Sequence, residues 1–91
     1  MLIIAYDLHP APGRDYSLIE NAIKSSGIWA HAEGSVWVIE TPEDPKGVVD
    51  RLTAIGHPQD VFFVARLEQH WWSKGLTAEV LGWLKDSARR W

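Results

Sequence analysis

Ile28-Trp29-Ala30-His31-Ala32-Glu33, then Gly34-Ser35, then Val36-Trp37-Val38-Ile39-Glu40-Thr41 is the stretch that decides the fold. In its first half Ile28, Ala30 and Ala32 alternate with Trp29, His31 and Glu33. In its second half Val36 and Val38 alternate with Trp37 and Ile39. Successive side chains of a strand point to opposite faces, so a period of two marks a strand with two distinct sides. Gly34 between the runs supplies the tight turn, and the stretch reads as a β-hairpin.

Both flanks of the hairpin read as helices. Upstream, Asp15 can cap a helix that starts at Tyr16. Its small or apolar face is Tyr16, Ile19, Ala22, Ile23 and Ser26, and Gly27 suits the left-handed position that ends a helix. Downstream, Asp44-Pro45 gives a cap followed by proline at the first helical position. Val48, Val49, Leu52 and Ile55 form that helix's stripe, and Gly56 and Pro58 close it. Outside the helices lie two apolar runs. Leu2–Leu8 is nearly continuous, reads as a central strand buried on both faces, and is stopped by Pro10, Pro12 and Gly13. Asp60–Leu67 is a fourth strand.

Strand, helix, strand, strand, helix, strand is the split βαβ order. The expectation is an α+β, ferredoxin-like βαββαβ sandwich: a four-stranded antiparallel sheet with both helices on one face. Residues 1–67 form the core of a single domain and 68–91 an extension. In the extension Leu76, Val80, Trp83, Leu84 and Ser87 fit a third amphipathic helix from about Thr77. That helix is the candidate to cover the sheet's other face.

Composition narrows the setting. A chain of 91 residues makes one domain, and a domain of that size hides only about 60–65% of the surface its unfolded chain exposes. With no cysteine, disulfides and cysteine-based zinc clusters are excluded as supports, and no zinc is expected. Six tryptophans and a partner subunit are the remaining means, so a homodimer is expected. The apolar start, MLIIAYDLHP, is too short to span a bilayer and lacks the features of a signal peptide, which points to a cytoplasmic protein without membrane contact. A net charge of −3 is unlike a domain that grips a duplex by its phosphates.

Asp7 is the first chemical candidate. A carboxylate in an apolar strand is costly if buried, charged and unpaired. It can sit at the strand's end beside solvent, pair with Arg14 or Arg66, or bind a divalent cation jointly with Asp7 of a second subunit. His9 would share Asp7's side if the strand continued, and could then act as a general base, although an exposed loop histidine is the plainer reading. His57, before a proline, reads as a turn residue. The tryptophans can pack a sheet face or a dimer seam, or stack on bases; packing is favoured for Trp37 and Trp83, and Trp71-Trp72 stays open. Lys85, Arg89 and Arg90 can complement the end of a helix dipole.

Several short pieces together carry a family resemblance. They are Ala5-Tyr6-Asp7-Leu8, Gly13-Arg14-Asp15-Tyr16, Ala22-Ile23-Lys24 with Gly27, Ser35-Val36-Trp37, Asp60-Val61-Phe62-Phe63-Val64 and Gly82-Trp83-Leu84. The chain resembles the SinR-like small proteins, relatives of the Cas-two family of CRISPR adaptation and of VapD-type toxins. The resemblance implies a ferredoxin-like homodimer. For the Cas-two proteins proper it also implies a metal-dependent nuclease activity, present in some members and dispensable in others. There the aspartate of a tyrosine–aspartate motif is the proposed ligand for magnesium or manganese; Asp7 matches it and Tyr6 is its neighbour. Tyr6, Arg14 and Ser35 are the positions the resemblance puts near RNA or DNA, with Trp37 in place of the usual phenylalanine and an arginine-rich segment reduced to Arg14. Two functions from different classes follow: a divalent-metal-dependent endonuclease or endoribonuclease with Asp7 and His9 as catalytic residues, or a non-catalytic dimeric binding or scaffold module.

Overall fold

The structure is a computed structural model that describes residues 1–91. Its strands are β1 (Leu2–Asp7), β2 (Ile28–Glu33), β3 (Val36–Glu40) and β4 (Val61–Arg66), and its helices are α1 (Ser17–Lys24), α2 (Pro45–Ile55) and α3 (Ala78–Lys85). The sheet order is β2-β3-β1-β4 and every neighbouring pair is antiparallel. This is the expected α+β arrangement, compatible with a ferredoxin-like fold to which one helix has been added.

Strand periodicity divides the apolar residues between two cores. Leu2, Ile4, Trp37 and Ile39 point to one face, where Ile19 and Ile23 of α1 and Val48 and Leu52 of α2 meet them. Trp37 is 1% exposed and is the largest side chain in this layer. Burying such a ring stabilises by about 3 kcal/mol or more. On the other face Ala30 and Val38 join Met1 with Val80 and Leu84 of α3. Alanines at 30 and 32 leave room for that helix to lie over β2.

The helix ends show where local signals act. Asp44 caps α2, accepting from the Lys46 amide with Pro45 in the first turn, and Thr77 caps α3, accepting from the Val80 amide. α1 differs from expectation. It begins at Ser17 behind Tyr16, and Asp15 closes a local turn by accepting from the Ser17 amide and hydroxyl. Gly27 also differs: only Gly13 and Gly75 have positive φ. A Cβ on Gly27 would collide with the Glu40 carbonyl oxygen, so glycine is required by the close approach of β3. In α2, Ile55 of the expected stripe is 45% exposed, while Val48 and Leu52 are buried.

β1 is central, yet it is not buried on both faces. α3 covers only the β2–β3 half of its face. The β1–β4 half stays open, with Val61 58% and Phe63 67% exposed and Asp7 exposed at its end.

Candidate functional site

The candidate site lies where β1 ends. Pro10, Pro12 and Gly13 cannot extend the strand; Gly13 takes φ 72° and the Arg14 amide donates to the Ala11 carbonyl, which turns the chain toward α1. Antiparallel pairing sets Asp7 opposite Val61, so the loop after β1 lies beside the loop that leads into β4.

Two carboxylates flank this end of the sheet. Asp60 precedes β4 and shares the side of Phe62, beneath Gly56. Its side chain is fully buried. Arg14 grips it with two charge-assisted bonds, Nη1 to Oδ1 at 2.7 Å and Nη2 to Oδ2 at 2.5 Å. The His9 and His57 amides donate to it, each at 2.8 Å. Arg14 also donates to the His9 carbonyl and lies 5.0 Å from the Tyr16 ring centroid. The Arg14 guanidinium and the two amides hold the Asp60 carboxyl far below the usual carboxylate range, against the opposing effect of desolvation. The same hydrogen bond raises the pKa of Arg14. The His9 and His57 rings stack on each other with centroids 4.3 Å apart.

Asp7 is on the opposite side. It is exposed, and no side-chain hydrogen bond or ion pair in the protein reaches its carboxylate. Of the three readings open for it, pairing with Arg14 is overturned, because Arg14 is spent on Asp60. Arg66 pairs in register with Leu2, at the far end of β1. The end of the strand beside solvent is where Asp7 lies.

The other expected site residues disperse. β1 stops at Asp7, so the alternation that would carry His9 to Asp7's side stops with it. Tyr6 faces the helix-covered core; its hydroxyl accepts from Trp37 Nε1 at 3.2 Å and donates to the Gly34 carbonyl at 3.4 Å. Ser35 is exposed in the hairpin turn, where its carbonyl accepts from the Tyr6 amide. Trp37 carries His31 stacked on its ring at 3.8 Å. Two pairs of these residues are brought into direct contact: Arg14 with the His9 carbonyl, and the Tyr6 amide with the Ser35 carbonyl. No group of three or more histidine, aspartate or glutamate residues is placed to hold a metal ion, so one chain offers a cation no complete centre.

Asp60 and His57 are the residues that sequence reasoning missed. A faint signal existed: Arg14 is the only lysine or arginine before Lys24, in a segment bearing Asp7 and Asp15. Nothing along the chain shows that its partner lies 46 residues on.

No family model, curated protein or solved structure matches the chain. No helix is long and apolar enough to cross a membrane.

Proposed function

We propose that the chain acts as a Cas-two-like homodimer associated with nucleic acid, and that its open half-sheet closes on a second copy so that two Asp7 carboxylates share one divalent cation. The observation that supports this is the free Asp7 carboxylate at the end of an uncovered apolar strip formed by Val61 and Phe63. Soluble chains seldom leave bulky strand residues open without a partner. A twofold axis through that strip repeats each residue across it. Asp7 suits magnesium or manganese because hard cations take carboxylate oxygen and keep several waters. When bound, such an ion would position water and stabilise charge developing on a phosphate. The protein's part is to hold the two carboxylates at a rigid strand end and to exclude competing cations such as Arg14, which Asp60 retains.

A second reading is a non-catalytic dimeric binding or scaffold module. It is favoured by the acidic net charge of −3 and by the engagement of Arg14, the one basic residue that the resemblance puts near nucleic acid. One assay separates the two. RNA and DNA oligonucleotides are incubated with magnesium or manganese and either wild type or Asp7→Asn, with the mass of each protein followed by sedimentation. The nuclease reading expects cleavage by wild type, none by Asp7→Asn, and dimers of both. A dimeric wild type that cuts neither substrate with either metal transfers the assignment to the binding module.

A further inference from the structure

A cavity stands apart from Asp7, between the loop after β4 and the end of α3. Its volume is about 420 Å³, within the range of small-molecule sites, about 300–1,000 Å³. Trp71, Trp72 and Trp91 line it together with Lys85, Asp86 and Arg89. Trp71 and Trp91 stack at 6.2 Å and 20° from parallel, while Trp72 is 97% exposed. The wall is thus aromatic, with one indole that packs against little of the protein.

The charges in it are unequal in freedom. Asp86 is occupied: its Oδ1 accepts from the Ala88 amide at 2.9 Å. The Lys85 side chain is exposed and enters no ion pair or side-chain hydrogen bond of the protein. The Arg89 side chain is only 12% exposed, lies 4.5 Å from the Trp83 ring centroid, and reaches Glu40 at 3.8 Å. Its Nε and Nη1 are buried without a hydrogen-bond partner. The Arg89 guanidinium is thus held in place by packing and by Glu40, with two N–H groups that make no hydrogen bond in the protein, and its charge borders the cavity beside the free Lys85 ammonium.

We propose that this cavity binds a nucleotide, its base stacked on the Trp71 and Trp91 indoles and its phosphate held by Arg89 and Lys85. Stacking is tolerant of base identity because every base presents a flat π-face. The cations select a ring that carries an acidic group over a neutral or cationic ring. The ligand is a free mononucleotide or a nucleotide of a single strand, since both present the same base and phosphate. The inference goes beyond the Asp7 reading and shares no residue with it.

Calorimetric titration of the full chain tests it with adenosine 5′-monophosphate, adenosine, ribose 5-phosphate, indole-3-acetate and a five-nucleotide oligoadenylate. The monophosphate should bind, and adenosine and ribose 5-phosphate should each bind at least about tenfold more weakly. Trp71→Ala should weaken the monophosphate by about tenfold or more. Lys85→Gln, at an exposed position that leaves the fold intact, should weaken it by less, and Asp7→Asn should bind it as wild type does. Tighter binding of the oligoadenylate with the same response to the variants assigns a single strand; equal binding assigns the free nucleotide. The proposal is overturned if the monophosphate does not bind, if ribose 5-phosphate or indole-3-acetate binds as well, or if folded Trp71→Ala and Lys85→Gln proteins leave its affinity unchanged.

Discussion

The two sides of one sheet end use the same functional group in opposite ways. On the helix-covered side, Asp60 is fully buried and receives four hydrogen bonds from Arg14, His9 and His57. On the open side, Asp7 is exposed and its carboxylate is bonded to nothing in the chain. β4 sets the two apart: Val61, opposite Asp7, points one way, and Asp60 before it points the other. A buried carboxylate must have all its acceptor capacity met, so Asp60 belongs to structure. A carboxylate with its acceptors free is available to a ligand.

The largest effect expected from this contrast is on Asp60. Asp60→Ala removes four bonds and strands Arg14, and should lower unfolding stability in denaturant by about 3 kcal/mol. A loss below about 1 kcal/mol would show that the knot is a surface ion pair in energetic terms.

The pH dependence sharpens the same point. Because the folded pKa of Asp60 is depressed, its contribution to stability is present above the unfolded value and is lost as pH falls through the folded one. The stability gap between wild type and Asp60→Ala should hold constant from neutral pH to about pH 4, the ordinary aspartate range, and narrow below it. A gap that grows on acidification would contradict the assignment.

A smaller effect on folding but a large one on assembly is expected at Phe63. It is 67% exposed, so Phe63→Asp should leave the monomer's fold intact. Under the proposed dimer it should halve the sedimenting mass at micromolar concentration, because a charge would be buried at the seam. An unchanged mass would move the interface elsewhere.

The smallest effect belongs to Asp7. With no partner to lose, Asp7→Asn should change stability by no more than about 0.5 kcal/mol. Its consequence should be confined to cation binding.

The sequence was most informative where the physics is local. The hairpin around Gly34, the cap at Asp44 and the start of α3 near Thr77 depend on residues a few positions apart, and all were legible, though the capping role of Thr77 was not. Gly27 was correctly marked as special but for the wrong reason. A left-handed φ is a local property; the approach of Gly27 to the Glu40 carbonyl exists only once β2 lies beside β3. The Arg14–Asp60 pair was hidden for the same reason, since it requires β1 to lie beside β4. Asp7 stood out because one charge in an apolar run is conspicuous without any tertiary knowledge. The half-open face was legible only in part: a third helix was expected, while its confinement to the β2–β3 half follows from the small Ala30 and Ala32.

The contrast between the carboxylates is tested most directly by titrating manganese into isotopically labelled protein and following paramagnetic broadening of the backbone amides. The account predicts broadening centred on Asp7 and Val61 at low metal, lost in Asp7→Asn, with Asp60's neighbours His9 and His57 no more affected than their distance requires. Broadening centred on the Arg14–Asp60 knot, or spread over the acidic surface and unchanged in Asp7→Asn, would contradict it.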